Sequence, residues 1–206
     1  MSSTPEKEAR RKRRRRRRLQ VIVIYTAIAV CLAWFFESQA TTTIIFVRHA
    51  EKAAEPAGDP HLSPAGQARV AELTRQMVDA DVVAGIDAVY ATDYNRTQET
   101  VRPVADALDL PINTYDAADT ETVLTEILRN HKGEIILVAG HSNTVPELIA
   151  NLGGSKNVPE INEDEYDNIY IVSIPWFGKT KTIRMRFGEP YISAPPADDQ
   201  PAAVTD

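Results

Sequence analysis

The chain has 206 residues, and its hydrophobic content of 43% and charged content of 25% are ordinary for a globular protein. Its charge is unevenly distributed, because residues 1–18 contain ten basic and two acidic side chains in a chain whose net charge is −6. The rest of the chain is therefore strongly acidic. This argues against nucleic acid as a partner, because a phosphate backbone requires a basic protein surface. Cys31 is the only cysteine, so an internal disulfide is excluded.

An apolar segment directly follows the basic residues. Residues 19–36 contain no charged side chain, and as a helix they would span about 27 Å, close to the thickness of a bilayer core. Basic residues stay on the cytoplasmic side of a membrane. We therefore expect a cytoplasmic tail at residues 1–18, a single transmembrane anchor at residues 19–36, and the rest of the chain outside the cytoplasm, in the periplasm or at the cell surface.

Two other interpretations of this segment remain open. A signal peptide also combines a basic start with an apolar run, and Ser38-Gln39-Ala40 has the small residues that a signal peptidase requires. The apolar run is longer than is usual for a signal peptide, which favours an uncleaved anchor. A buried core helix is disfavoured, because the segment is apolar on all sides and follows a continuous run of basic residues.

Residues 37–42 are expected to be a linker, residues 43–190 one α/β domain, and residues 191–206 a disordered tail rich in Pro, Ala and Asp. Short β-branched runs alternate with helical patterns in the domain. This alternation predicts a three-layer α/β/α sandwich with a mostly parallel central sheet. Strands are predicted at residues 43–47, 87–91, 111–115, 134–139, 169–174 and 182–187, and helices at 63–81, 94–108, 120–130 and 145–152. Pro103 is expected to interrupt or kink the second of these helices.

Polar clusters follow three of the predicted strands, at residues 48–52, 92–97 and 140–144. In a sheet of this class, ligands bind beyond the carboxyl ends of the strands. We therefore expect the three clusters to meet at one site. They contain two arginines, whose guanidinium groups match the oxygens of a phosphoryl group. They also contain two histidines, and a neutral histidine nitrogen is a competent nucleophile.

Four segments, in order, resemble motifs of the histidine phosphatase superfamily, also called phosphoglycerate-mutase-like. Val47-Arg48-His49-Ala50 resembles the Arg-His-Gly signature, and residues 62–68 (LSPAGQA) resemble the start of the family's first helix. Residues 91–100 resemble its second arginine block, and residues 138–144 its second histidine block. The resemblance covers about residues 43–188 and implies a small, single-domain member of the superfamily, which the apolar segment at residues 19–36 would anchor in a membrane.

The resemblance implies a metal-independent phosphatase that needs no cofactor and acts on a small phosphorylated substrate. His49 would attack phosphorus and carry the phosphoryl group as a phosphohistidine, which water would then hydrolyse. Arg48, Arg96 and His141 would bind the phosphoryl oxygens and stabilise the charge of the transition state.

Three further positions belong to the same expected site. Asn143 and Lys52 lie in the polar clusters and are candidate substrate-binding residues. Ala50 stands where the family usually has glycine. Alanine is disfavoured at positive φ, so a backbone that required glycine at this position would be perturbed.

The residue that would give a proton to the leaving group is the weakest part of the resemblance. Ser142 follows His141, where some members of the family carry an acidic donor. Others carry the donor beyond the third strand, where this chain has three carboxyl groups. Asp116 is the preferred candidate, because it directly follows the predicted strand, and Asp119 and Glu121 are the alternatives.

Two other functions remain open. A phosphoglycerate-mutase-like enzyme would return the phosphoryl group to a second hydroxyl, which requires the exclusion of water. The loops after the motifs are short and leave little chain for a lid, so hydrolysis is favoured. A tethered module that binds phosphorylated ligands without turnover is the second alternative, and the intact His49 argues against it.

Overall fold

The structure, a computed structural model, describes residues 5–38, 41–79 and 85–192. Helix α1 (Pro5–Ser38) and the part that begins at Thr41 are two separate compact units. In α1, the stretch Ala9–Phe36 contains an 18-residue window that is long and apolar enough to cross a membrane, with a mean hydropathy of 2.3. Residues 39–40 of the predicted linker and residues 193–206 of the predicted disordered tail lie outside the described residues.

The second unit is built on a six-stranded sheet whose order is β3-β2-β4-β1-β5-β6. Its strands are β1 (Thr41–Arg48), β2 (Ala88–Thr92), β3 (Ile112–Tyr115), β4 (Ile135–Gly140), β5 (Asn168–Pro175) and β6 (Lys181–Arg186). β1 pairs in parallel with β4, β4 with β2, and β2 with β3. β5 is antiparallel to both of its neighbours. The prediction of a mostly parallel sheet is confirmed.

Helices cover both faces of this sheet. They are α2 (Pro64–Val78), α3 (Asn95–Ala107), α4 (Thr120–Asn130) and α5 (Thr144–Asn151). Side chains alternate across β4, so that Ile136 and Val138 pack with the α4 and α5 residues while Leu137 and Ala139 pack with those of α2 and α3. Two apolar layers on opposite faces of one sheet make the predicted three-layer sandwich.

The start of α2 fixes the loop that follows the first polar cluster. The hydroxyl of Ser63 accepts a hydrogen bond from the backbone N–H of Gly66 at 3.1 Å, and Pro64 occupies the first turn, as predicted. A Cβ on Gly66 would lie 2.2 Å from the carbonyl oxygen of Glu51. Only glycine permits this close approach of the loop to the helix. The predicted end of this helix at residue 81 falls at residues 80–84, outside the described part.

Of the two outcomes expected at Pro103, an interruption of the helix is wrong, because α3 continues through this residue. Proline removes one backbone hydrogen bond from a helix interior. In α3, Val101, Val104 and Ala105 are buried against the sheet. Burial of this apolar face stabilises the helix enough to offset the missing bond.

Candidate active site

The carboxyl ends of β1, β2 and β4 meet at one edge of the sheet, and the three polar clusters that follow them line one cavity of about 530 Å³. All seven residues predicted to act in catalysis or to bind the substrate line this cavity. They are Arg48, His49, Lys52, Arg96, Asp116, His141 and Asn143. The fold therefore brings together side chains that are far apart in the sequence.

His49 is held at the end of β1 by its own backbone and by its ring. Its N–H donates to the carbonyl of Gly140 at 2.9 Å, and its Nδ1 lies 2.8 Å from the carbonyl oxygen of Ala50. A carbonyl oxygen only accepts, so the proton of the ring is on Nδ1 and the lone pair is on Nε2. Burial lowers the pKa of His49 to about 3, and the positive charge of Arg48 acts in the same direction. The ring is therefore neutral at pH 7.

His141 is the second buried imidazole of the cavity, with its ring centroid 5.4 Å from that of His49. Its Nε2 lies 3.1 Å from the hydroxyl of Thr92, and its Nδ1 lies 3.5 Å from Nη2 of Arg96. A guanidinium only donates, so Nδ1 carries the lone pair and Nε2 donates its proton to Thr92. Burial lowers the pKa of His141 to about 4, and the charge of Arg96 contributes to the same shift.

Arg48 is buried beside the two histidines with one edge of its guanidinium occupied. Its Nη1 donates to the carbonyl oxygens of Asn162 at 2.6 Å and Glu165 at 3.1 Å. The ring of Tyr166 lies against the guanidinium, with 4.2 Å between Cζ and the ring centroid. Nε is buried and has no hydrogen-bond partner. An unpaired buried donor costs about 1–3 kcal/mol, so Arg48 retains hydrogen-bonding capacity that the described residues do not use.

Arg96 enters the cavity from the first turn of α3. Its Cζ lies 4.3 Å from the ring centroid of Tyr94, and its Nη1 lies 3.7 Å from a carboxylate oxygen of Asp59. The same oxygen of Asp59 accepts a hydrogen bond from the backbone N–H of Asn95 at 2.8 Å. The aromatic ring and the carboxylate together limit the positions that the guanidinium can take.

The alanine at position 50 does not strain the backbone. Asp109 is the only non-glycine residue with positive φ in the part of the chain that the structure describes. The N–H of Ala50 donates to the hydroxyl of Thr100 at 3.0 Å, and its methyl group packs with Leu62 and Val70. The departure from the family's glycine is therefore accommodated by an apolar pocket.

The three candidates for the proton donor lie in different places. Asp116 is exposed at the mouth of the cavity, where its Oδ1 accepts a hydrogen bond from the N–H of Ala118 at 2.8 Å. Asp119 caps α4 by accepting from the N–H of Thr122 at 3.1 Å. Neither Asp119 nor Glu121 is among the residues that line the cavity. Asp116 is therefore the candidate that the geometry favours.

Asn143 and Lys52 are exposed at the rim of the cavity, where they can contact a substrate but are not fixed by burial. The described residues contain no group of three or more His, Cys, Asp and Glu side chains arranged to hold a metal ion. The cationic side chains that line the cavity are Arg48, Lys52 and Arg96.

Sequence reasoning missed the residues that the end of the α5–β5 loop contributes. Glu163, Asp164 and Tyr166 all line the cavity. They reach it because β5 is antiparallel to β1, which brings the start of β5 to the carboxyl end of β1, with Ile169 opposite Val47. The available signal was a tyrosine within a run of acidic residues directly before a predicted strand.

The model of the histidine phosphatase superfamily (branch 1) matches residues 44–119. The matched segment contains Arg48, His49 and Arg96, which the structure places around one cavity. Residues 44–119 therefore carry the sequence pattern of the histidine phosphatase superfamily. The match ends before His141, whose place beside His49 comes from the structure.

Solved structures of two phosphatases and of a protein named a hydrolase share this fold. The protein histidine phosphatase SixA complexed with tungstate is 20% identical, with 70% of this chain and 96% of that chain covered and a TM-score of 0.57. Mycobacterial glucosyl-3-phosphoglycerate phosphatase in complex with inorganic phosphate is 11% identical. The match covers 69% of this chain and 95% of that chain, with a TM-score of 0.53. A structure named mycobacterial hydrolase 2 is 10% identical. The match covers 75% of this chain and 94% of that chain, with a TM-score of 0.56. No curated protein matches the chain by sequence.

Proposed function

We propose that the chain is a phosphatase that hydrolyses phosphomonoesters or related phosphoryl compounds through a phosphohistidine on His49. The observation that supports this most is the neutral ring of His49, which keeps its proton on Nδ1 and its lone pair on Nε2. The same cavity contains Arg48 and Arg96, whose charges suit a phosphoryl dianion.

In the first step, Nε2 of His49 forms a bond to phosphorus. The bond between phosphorus and the leaving oxygen breaks, and its electron pair goes to that oxygen, which takes a proton from the carboxyl group of Asp116. Arg48 and Arg96 bind the phosphoryl oxygens as charge develops, and His141, whose Nδ1 accepts from Nη2 of Arg96, positions that guanidinium. The ring becomes positively charged, and its Nδ1–H remains bonded to the carbonyl oxygen of Ala50.

In the second step, water attacks the phosphorus of the phosphohistidine. The P–N bond breaks, its electron pair returns to Nε2 of His49, and the carboxylate of Asp116 takes the proton of the water. Orthophosphate leaves, and both residues return to their starting forms. We propose that no metal ion takes part, since the two guanidinium groups supply the positive charge.

The relatives indicate which substrates should be tried. SixA is named a protein histidine phosphatase, and another neighbour is named a glucosyl-3-phosphoglycerate phosphatase. Phosphohistidine in proteins and phosphate esters of sugars or sugar acids are therefore the first classes to test on this chain. The tungstate and inorganic phosphate in those two structures are oxyanions of the kind that Arg48 and Arg96 are proposed to bind.

We propose further that α1 anchors the enzyme in a membrane with residues 1–18 in the cytoplasm and the catalytic unit on the opposite side. The length and hydropathy of the apolar window within Ala9–Phe36, and the basic residues that precede this window, support this topology. A reporter fused after Asp206 that is active only outside the cytoplasm tests it. The mass of the membrane-bound protein separates an uncleaved anchor from a cleaved signal peptide.

Turnover of a chromogenic phosphate ester by the full-length protein in detergent tests the proposed reaction. We expect His49→Ala to lower kcat by at least about 10³-fold, because it removes the nucleophile. His61→Ala is the matched control, because His61 is an exposed histidine outside the cavity. Chelation of divalent metals with EDTA should leave the rate unchanged. Binding of phosphate without turnover would contradict the proposal and would favour the tethered binding module.

A further inference from the structure

The mouth of the cavity carries carboxylates on two opposite sides. Asp116 follows β3, whereas Glu163 and Asp164 precede β5, and all three are exposed and line the cavity. β2, β4 and β1 lie between β3 and β5 in the sheet, so the carboxylates reach the mouth from opposite directions. Lys52 is the only exposed cation among the residues that line the cavity in the described chain.

The floor of the same cavity has the opposite character. Arg48 is more than nine-tenths buried there, with 5% of its surface exposed, and its Nε has no partner. Arg96 lies beside His141 on the same floor. An oxyanion is the ligand that satisfies these groups, so the phosphoryl group of a substrate belongs on the floor. Whatever is bonded to that group must then point toward the carboxylates at the mouth.

We propose that the enzyme prefers phosphoryl compounds whose leaving group carries a positive charge, such as a protonated amine, and that Glu163 and Asp164 select it. This inference rests on the proposed phosphatase function and adds the class of substrate. A cationic leaving group is attracted to the mouth, a neutral alcohol is neither attracted nor repelled, and a leaving group with its own carboxylate is repelled. Phosphoglycerate-like esters are therefore the disfavoured class.

The effect of each carboxylate is moderate. Glu163 and Asp164 are exposed, and exposed ion pairs are weakened by water and by the entropy of the side chains. We expect each to change kcat/KM for a charged substrate by about twofold to fivefold. Salt screens such pairs at the surface more than at the buried floor. High ionic strength should therefore reduce the preference among leaving groups.

Three small phosphate esters of similar size test the inference with the full-length protein in detergent. Phosphoethanolamine has a cationic leaving group, ethylene glycol monophosphate a neutral one, and phosphoglycolate an anionic one. We expect kcat/KM to fall in that order at low salt. In Glu163→Gln/Asp164→Asn, the ratio of kcat/KM for the cationic ester to that for the neutral ester should fall by about tenfold, and the ratio for the anionic to the neutral ester should rise. Ratios are compared because the charges of Glu163 and Asp164 also act on Arg48, and so on the phosphoryl group of every ester.

Glu160→Gln is the matched control, because Glu160 lies in the same loop, is exposed, and does not line the cavity. This substitution should leave kcat/KM unchanged for all three esters. Each ester is compared with itself across the variants, so differences in intrinsic reactivity cancel. The ratio of the cationic to the neutral ester should also decrease when sodium chloride is raised to high concentration.

The outcomes separate this inference from the proposed function. Turnover that depends on His49 but does not change with the double substitution would overturn the inference and leave the phosphatase standing. Absence of turnover with all three esters would count against the phosphatase. In that case, the dissociation constants of the same esters, measured by calorimetry, test whether the mouth of the cavity prefers a positively charged group. A tighter constant for the cationic ester that is lost in the double variant supports the inference, and equal constants or no binding overturn it.

Discussion

The rings of His49 and His141 lie 5.4 Å apart between centroids and are inclined at 63° to each other, yet each uses a different nitrogen to hold its proton. His49 donates from Nδ1 to the carbonyl of Ala50, whereas His141 donates from Nε2 to the hydroxyl of Thr92. This leaves Nε2 of His49 and Nδ1 of His141 without a proton. Two imidazoles in one cavity are thereby given separate roles by their neighbours.

These contacts predict the protonation state of each ring. At pH 6, we expect both His49 and His141 to be neutral, the first as the Nδ1–H tautomer and the second as the Nε2–H tautomer. Long-range ¹⁵N–¹H correlation spectra of the histidine-labelled protein measure this directly. His61 is the internal control, because its contact with Glu99 raises the pKa of this exposed ring. An Nε2–H tautomer for His49 would contradict the proposed nucleophile.

The lowered pKa values also predict how stability depends on pH. An unfolded histidine binds a proton near pH 6.5, whereas folded His49 and His141 do so only near pH 3 and 4. Below pH 6.5, the unfolded state therefore binds more protons than the folded state does. The stability that comes from keeping the two rings neutral is fully present above pH 6.5 and is lost as the pH falls. The free energy of unfolding should fall by up to about 1.4 kcal/mol per pH unit for each ring.

Urea denaturation at a series of pH values between 7.5 and 4.5 measures this slope. His49→Asn should show a smaller loss of stability over the range, because it removes one of the two groups. His61→Asn serves as the control, since its ring is exposed and its pKa shifts in the opposite direction. Equal slopes for the wild type and His49→Asn would show that the ring of His49 is not buried as a neutral group.

The sequence predicts the core of the site because its residues directly follow strands. Arg48, His49 and His141 each end or follow an apolar run, and the carboxyl ends of parallel strands meet at one edge of a sheet. Tyr166 was not predicted, because its place depends on β5 being antiparallel, which a strand pattern alone does not reveal. The tautomer of His49 depends on the position of one carbonyl oxygen, and only the folded backbone fixes it.

Tyr166 is predicted to be a positioning residue for Arg48. Its ring lies against the guanidinium, and the carbonyls of Asn162 and Glu165 from the same loop hold Nη1. Tyr166→Leu should lower kcat/KM by about tenfold, since it removes the aromatic face that fixes the guanidinium. Tyr166→Phe keeps the ring and should retain most of the activity. Inhibition by orthophosphate should weaken in parallel with the loss.

A purely structural role for Tyr166 would give a different result. In an Arg48→Ala background, Tyr166→Leu should have little further effect on kcat/KM if the two residues act together. Additive losses in the double variant would mean that Tyr166 supports the fold or contacts the substrate independently. Thermal unfolding of each variant shows whether the fold has been weakened.

Asp116 is predicted to give the proton to the leaving group, so its importance should depend on which group leaves. With an alkyl phosphate, whose alkoxide needs a proton, we expect Asp116→Asn to lower kcat/KM by about 10²-fold or more. With p-nitrophenyl phosphate, whose phenolate leaves without a proton, the loss should be small. Asp119→Asn is the control, because asparagine can still cap α4 and the residue does not line the cavity. Equal losses with both esters would exclude Asp116 as the donor, and a leaving-group-dependent loss in Asp119→Asn would assign that role to Asp119.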